Sequence, residues 1–369
     1  MSLALLANPV VLLLLLWGAS ALFRRYLMGD GDSPAASGGI VMAGGIFVIA
    51  ALEELDRSDL VARIVVLELF VIWGYIAFSY LRSALKGELG PYIRQPANTF
   101  PIGTWVAGTA VLARAMEEVI ESWRPLEIVL WLVAVALWIW YLRMLPAAFR
   151  GAADLSSGYQ ANGAVLLSAV AAQSIVVSGV EVLPVETPGW ASAGIIVLGY
   201  LFYAAGFVLI ARRYWRTEWS LADNWDDTNC ILHGAMSISG LAAVQSGAVP
   251  DVVVIATWAW VVVMFVLVEG EEAARAFVRV RAYGWGGGLF TYYVSQWSRN
   301  FTFGMFYAFT LQLYSEGPAL GPAWAEALQQ AIVNYGQYVV LAVLLAESGL
   351  FLWAKVRCGP FFAKRTAGT

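Results

Sequence analysis

Long runs of apolar residues alternate with short polar segments along almost the whole chain. A helix needs about 20 apolar residues to cross the hydrocarbon core of a membrane. Runs of that kind predict eleven membrane-spanning helices, near residues 3–23, 37–54, 61–83, 98–117, 127–147, 161–181, 190–213, 228–247, 251–270, 291–314 and 329–355. The first run lacks the basic start and the small-residue cleavage site of a signal peptide, so it is predicted to be a retained helix.

The loops between these runs differ in charge on alternate sides of the predicted membrane. Lys and Arg concentrate in the loops that follow odd-numbered spans, whereas Asp and Glu concentrate in the others. Because basic loops stay in the cytoplasm, this pattern places the N-terminus outside and the C-terminus inside. The predicted location is the cell (plasma) membrane.

The spans after the first alternate between two compositions. Those beginning near residues 37, 98, 161, 228 and 291 are rich in Gly, Ala, Ser and Thr. Each of them is followed by a span of large apolar and aromatic residues. Small residues allow close helix packing and leave room for a lumen. The pattern predicts an all-α fold of five helical hairpins, repeating roughly every 60 to 67 residues, with an inner ring of five helices around a pore and an outer ring of five. An ordinary bundle in which glycines only aid packing explains the composition equally well.

Composition excludes several classes of protein. The chain has 369 residues, of which 60% are hydrophobic and 13% charged, and its mean hydropathy is +0.70, so it is too apolar for a soluble globule. A net charge of -4 gives no basic surface for nucleic acid. Two cysteines and one histidine cannot form a metal site with the usual ligand spacing. The sequence also shows no convergent set of nucleophile, base and acid. We therefore predict no metal, no cofactor and no enzymatic activity.

Four strings, in this order, resemble the tellurite-resistance/dicarboxylate transporter family, which includes a bacterial tellurite-resistance channel and plant slow-type anion channels. They are QPANTFPIGT at 95–104, LSAVAAQSIVVSG at 167–179, LGYLFYAAG at 198–206 and FTFG at 301–304. The resemblance covers residues from about 37 to 355. Two departures are the additional first span and the absence of a proline often found in the span beginning near residue 228.

The resemblance implies a homotrimer in which each protomer has its own pore, closed by a phenylalanine that matches Phe303. The implied activity is that of an anion channel or uniporter for small inorganic or carboxylate anions. The alternative is a proton-coupled C4-dicarboxylate carrier or an exporter of sulfite or tellurite. The corresponding division of the chain is 1–30 for the extra helix, 31–357 for the ten-helix channel domain and 358–369 for a cytoplasmic tail.

Candidate pore-lining residues lie on the predicted inner helices, and all but Phe306 are small or polar: Gly44, Gly45, Gly103, Thr104, Ser168, Gln173, His233, Ser237, Phe306 and Thr310. Arg299, just before the predicted gate, is a candidate for attracting anions or an interfacial anchor. His233 is a candidate proton-sensitive residue or a hydrogen-bonded packing element.

Three further ionisable residues, Glu68, Arg114 and Glu347, fall inside predicted spans. Charges there are costly and therefore indicate function or a polar contact between helices. A polar contact is favoured for Glu68 and Glu347 because both lie on predicted outer helices. If one faced the pathway instead, it would favour the coupled carrier.

Overall fold

The computed structural model describes residues 8–27, 33–55, 59–154 and 158–358, and its regular secondary structure is entirely helical within those ranges. The long helices are α1 Pro9–Leu27, α2 Gly38–Ile46, α3 Asp59–Leu85, α4 Gly103–Val119, α5 Arg124–Ala153, α6 Leu167–Val182, α7 Gly189–Arg216, α8 Ile231–Ser246, α9 Asp251–Gly288, α10 Trp297–Glu316 and α11 Ala323–Cys358. A π-helical segment, Phe47–Leu52, continues α2. The all-helical prediction is confirmed, and residues 359–369 of the predicted tail lie outside the described ranges.

Seven helical stretches among the described residues are long and apolar enough to cross a membrane. They are Ala35–Leu52, Asp59–Leu85, Glu121–Ala153, Gly163–Val182, Gly189–Arg216, Asp251–Gly288 and Ala323–Lys355. A described helix also lies in each of the other predicted spans. Among these, α4 and α8 are shorter, with 17 and 16 residues, and α10 carries Arg299 near its start. The seven long apolar stretches indicate that the chain is a membrane-embedded helical protein.

The helices fall into two classes by burial. In an apolar segment of 18 residues within the stretches that contain α2 and α6, 83% and 94% of the residues are buried, against 17% to 33% in the corresponding segments of α3, α5, α7, α9 and α11. Most residues of α4, α8 and α10 are buried as well. We call α2, α4, α6, α8 and α10 the buried helices and α3, α5, α7, α9 and α11 the outer helices. This division follows the alternation of small and greasy compositions along the chain.

Each buried helix packs against the next one along the chain, and α10 packs against α2. Glycines make these contacts possible. A Cβ on Gly38 would lie 2.3 Å from the carbonyl oxygen of Thr104, and one on Gly103 would lie 2.5 Å from that of Leu167. Early residues of one helix thus contact early residues of the next, so these neighbours run parallel.

The outer helices pack over the junctions between buried helices. Helix α5 contacts α4 and α6, α7 contacts α6 and α8, and α3 contacts α2 and α4. Helix α1 packs against α3 and α11, where Ser20 Oγ donates a 2.9 Å hydrogen bond to Glu68 Oε1. Glu68 therefore makes the polar contact between helices that was predicted for it.

A short 3-10 turn precedes every buried helix. The five turns begin at residues 35, 100, 163, 227 and 294, so the order of turn, buried helix and outer helix returns about every 65 residues. Asn162 Oδ1 and Asp226 Oδ1 accept backbone hydrogen bonds at the starts of the third and fourth turns. Each buried helix therefore begins directly after a 3-10 turn.

Candidate functional site

A cavity of about 300 Å³ lies among the buried helices, toward their C-terminal ends. All five contribute to its lining, so it lies where they face one another. The lining comprises Ile46, Ile49, Ala50 and Glu53 from α2 and its extension; Val111, Arg114 and Glu118 from α4; Ser174, Val177, Ser178 and Glu181 from α6; Leu241 and Gln245 from α8; and Met305, Ala308, Leu311, Gln312 and Glu316 from α10. We call this space the central cavity.

The lining changes character along the helices. Its deeper part is formed by apolar side chains such as Ile46, Val111 and Met305, whereas its rim carries Arg114 among the carboxylates Glu53, Glu118, Glu181 and Glu316. Arg114 Nη1 lies 2.7 Å from Glu118 Oε2 and 2.7 Å from Oε2 of Glu117. A solute in the central cavity would therefore meet charge at the rim and an apolar barrier further in.

The contacts of α10 identify the face that it turns toward the central cavity. A Cβ on Gly234 of α8 would meet Thr302, and a Cβ on Gly304 would meet Ile46 of α2. These contacts lie about 200° apart around α10. Of the two faces between them, the one that carries Met305 lines the central cavity, and Phe301 lies one turn earlier on that face. Phe301 is only 1% exposed. Its position follows directly on the apolar part of the cavity lining.

Phe303 lies about 200° from Phe301 around the helix axis. Its ring centroid is 5.1 Å from that of Phe265 on α9 and 6.1 Å from that of His233 on α8. Phe306 is on the same side, 4.9 Å from Phe265. Both rings thus pack toward an outer helix rather than into the central cavity. The gating role assigned to Phe303 from the sequence remains a prediction.

None of the ten candidate pore-lining residues borders the central cavity. The glycines are at helix contacts instead. A Cβ on Gly44 would meet Leu69 of α3, and one on Gly45 would meet Val111 of α4. Gly103 packs against Leu167 of α6, as described above. Their small size serves close packing between helices.

The hydroxyl and amide candidates bond to backbone or to other helices. Thr104 donates to the carbonyl oxygen of Ala35, Gln173 donates to that of Ile196 on α7, and Trp258 of α9 donates to Thr310 Oγ1. Ser168 and Ser237 donate to the carbonyls of Val165 and His233. These side chains fix the packing of the buried helices.

Arg299 belongs to a charged cluster between α8, α9 and α10. Its Nη2 lies 2.8 Å from Glu272 Oε1, and its Nη1 lies 3.9 Å from Glu269 Oε2. Glu272 also pairs with Arg275 at 2.9 Å, and Glu269 Oε1 is 3.3 Å from His233 Nε2. Two carboxylates therefore oppose the positive charge predicted to attract anions, and His233 faces α9.

A second polar cavity, of about 510 Å³, opens near the N-terminal ends of α8 and α10. Arg213, Arg275, Arg279 and Arg299 line it together with Asp223, Asp226, Asp227 and Glu272. Burial and the neighbouring Asp226 raise the pKa of Asp227 to about 6, while a hydrogen bond from Ser295 opposes the shift. The four arginines and the four acidic residues that line this cavity therefore have opposite formal charges that cancel.

Glu347 is buried in α11 and only 7% exposed. Its Oε1 has no hydrogen-bond partner among the described residues. Glu127 of α5 is fully buried, and both of its carboxylate oxygens lack a partner there as well. Sequence reasoning identified Glu347 but missed Glu127.

The cavity lining itself was also missed, although the sequence carried a signal for it. Met305, Ala308, Gln312 and Glu316 recur at spacings of three and four, as one helix face requires. Ser174, Ser178 and Glu181 repeat that spacing on α6, and Val111, Arg114 and Glu118 repeat it on α4. In each helix the face becomes more polar toward the C-terminal end.

Comparison of the chain with protein-family models and with curated proteins gave no match.

Proposed function

We propose that the protein is an anion channel or uniporter whose pathway runs along the common axis of the buried helices. In this proposal the buried helices form a closed inner ring, the outer helices a second ring, and α1 is an additional helix. The observation that carries the proposal is the central cavity, which all five buried helices line. The cyclic order of their contacts supports it further. Small residues allow these helices to approach closely while an axial space remains.

The helix orientation favours anions. Neighbouring buried helices run parallel, so their N-terminal ends lie at one end of the proposed pathway. A helix carries roughly half a positive charge at its N-terminus, and five such ends would attract an anion. The rim at the opposite end is acidic, and we expect salt to weaken its repulsion of anions by screening. An anion would therefore enter most readily from the N-terminal ends, which the distribution of Lys and Arg assigns to the cytoplasm.

We assign the closure of the pathway to Phe301. It lies on the cavity face of α10, one turn from Met305, and is almost completely buried. An apolar constriction of this kind stops ions by excluding water. Phe303, which the family resemblance suggested, contacts α9 instead and serves as the matched control.

A coupled carrier is the second candidate, because the helices bury ionisable groups that could exchange protons. Glu127 and Glu347 lie in spanning helices with carboxylate oxygens that lack partners among the described residues. Buried carboxylates within a membrane commonly belong to proton pathways. The carrier would transport a dicarboxylate, sulfite or tellurite together with protons.

The assembly and location proposed for the chain follow the same reasoning. The outer helices expose large apolar side chains, among them Leu132, Leu201, Val266 and Leu345, which suit lipid or a contact with another protomer. We propose a homotrimer in the plasma membrane, with the N-terminus outside and the C-terminus in the cytoplasm.

The reversal potential distinguishes the two candidates. The purified protein would be reconstituted into planar bilayers with a chloride gradient, and the current would be measured with and without a pH gradient. We expect the reversal potential to follow the chloride gradient alone. A reversal potential that moves with the pH gradient would support the carrier instead, after repetition with malate or sulfite as the transported anion. Absence of current or flux with all of these anions, both in the unaltered protein and in Phe301→Ala, would contradict both candidates.

A further inference from the structure

Arg114 is the only basic residue among the described residues that line the central cavity. It lies on α4, one turn after Val111, where the apolar part of the lining gives way to the charged rim. Its side chain is 14% exposed. Because the side chain is largely buried, its charge is screened less than that of a cation on the surface. We propose that the permeating anion binds at Arg114 and that Glu118 competes with the anion for the guanidinium group. This inference rests on the proposed function and names its anion-binding site.

The guanidinium group retains unused hydrogen-bonding capacity. One nitrogen, Nη1, donates to both Glu117 and Glu118, whereas the buried Nε has no partner among the described residues. Arginine carries five donor hydrogens in a planar arrangement, which suits the oxygens of a carboxylate or another oxyanion. The ligand class is therefore a small inorganic or carboxylate anion.

The two glutamates are not equivalent. Glu118 lines the central cavity, whereas Glu117 does not, and Glu117 has a second basic partner because Arg124 Nη1 lies 3.5 Å from its Oε1. An anion in the cavity would thus displace Glu118 while Glu117 remained paired with Arg124. This arrangement predicts opposite effects of removing the positive charge of Arg114 and the negative charge of Glu118.

The remaining lining supports weak, reversible binding. Gln312 Nε2 donates to Glu316 at 2.6 Å, and Ser178 donates to the backbone carbonyl of Ser174, so these side chains are already engaged. The carboxylates of the rim oppose prolonged residence of an anion. Conduction requires a site that is favourable enough to enter and weak enough to leave. One arginine that is partly neutralised by a competing glutamate meets both requirements.

The test compares Arg114→Gln with Arg124→Gln, which removes the same charge at the same end of the protein but outside the cavity lining. The chloride-to-potassium permeability ratio would be obtained from the reversal potential under a potassium chloride gradient. We expect Arg114→Gln to lower this ratio by about tenfold or more. Arg124→Gln should lower it by less than about threefold, because it leaves Arg114 in place and acts only through Glu117. Glu118→Gln should raise the ratio, and Arg114→Lys should largely retain it.

These outcomes separate the anion site from the pathway itself. An unchanged ratio in Arg114→Gln, with current intact, would overturn the assignment of Arg114 and leave the channel standing. If Arg114→Gln does not fold, Arg114→Lys and Glu118→Gln decide the question: a ratio that is unchanged or lowered by Glu118→Gln would overturn the competition. If the unaltered protein and its Phe301→Ala variant both carry no anion, the proposed function itself has failed.

Discussion

Phe301→Ala is expected to increase chloride flux through proteoliposomes by at least about tenfold. Phe301 is buried and lies one helical turn before Met305, which lines the central cavity. Replacing it with a methyl group widens the apolar constriction and allows water and ions to enter. The measurement is chloride efflux from vesicles that contain equal amounts of each protein.

Phe303→Ala is the matched control, because it removes the same ring two residues away on the same helix. Its expected effect on flux is less than about twofold, since Phe303 packs against Phe265 and His233 outside the cavity. A large increase with Phe303→Ala and none with Phe301→Ala would show that the family-based gate assignment is correct and that α10 turns another face to the pathway.

Gly103→Ala is expected to destabilise the protein severely. A Cβ at this position would lie 2.5 Å from the carbonyl oxygen of Leu167 and 2.9 Å from its Cβ. Backbone cannot move aside as a flexible side chain can, so α4 and α6 must separate. The expected loss is about 3 kcal/mol or more in the free energy of unfolding. It would be measured as a lower thermal unfolding temperature in detergent micelles.

Gly194→Ala provides the control for that substitution. Gly194 also lies in a spanning helix, α7, but a Cβ there would meet no heavy atom within 4 Å. Alanine is the better helix former by up to about 1 kcal/mol, so the unfolding temperature should stay the same or rise slightly. Equal destabilisation by both substitutions would mean that close packing of α4 against α6 is not what Gly103 provides.

Much of the fold could be predicted from local patterns. Each apolar run contains a helix, and the runs rich in small residues became the buried helices, because glycine is needed wherever two helices approach as closely as α4 and α6. Small size alone does not show where a pore lies. Gly44, Gly45 and Gly103 were predicted to line one, and they lie at contacts between helices, whereas larger residues such as Ile46 line the central cavity.

The candidate site depended on contacts between residues far apart in the sequence. Helical geometry separates Phe301 from Phe303, but only the cavity lining, to which Met305 and Ala308 belong, shows that the Phe301 side of α10 faces the cavity. Likewise, the sequence alone presents Arg299 as a positive charge that could attract anions, whereas the structure pairs it with Glu269 and Glu272 of α9. Neither relation is encoded in the local sequence.

Cysteine modification tests most directly whether a pathway passes among the buried helices. Gln312→Cys places a thiol in the central cavity, while Ser315→Cys places one on the exposed side of α10 at the same end. A membrane-impermeant methanethiosulfonate reagent would be added during chloride flux in the unaltered and Phe301→Ala backgrounds. The same reagent would be added to proteins without an introduced cysteine, to measure any block through the natural Cys230 or Cys358. We expect block in Gln312→Cys and none in Ser315→Cys. Equal block in both, or none in Gln312→Cys despite complete labelling, would contradict a pathway through the central cavity.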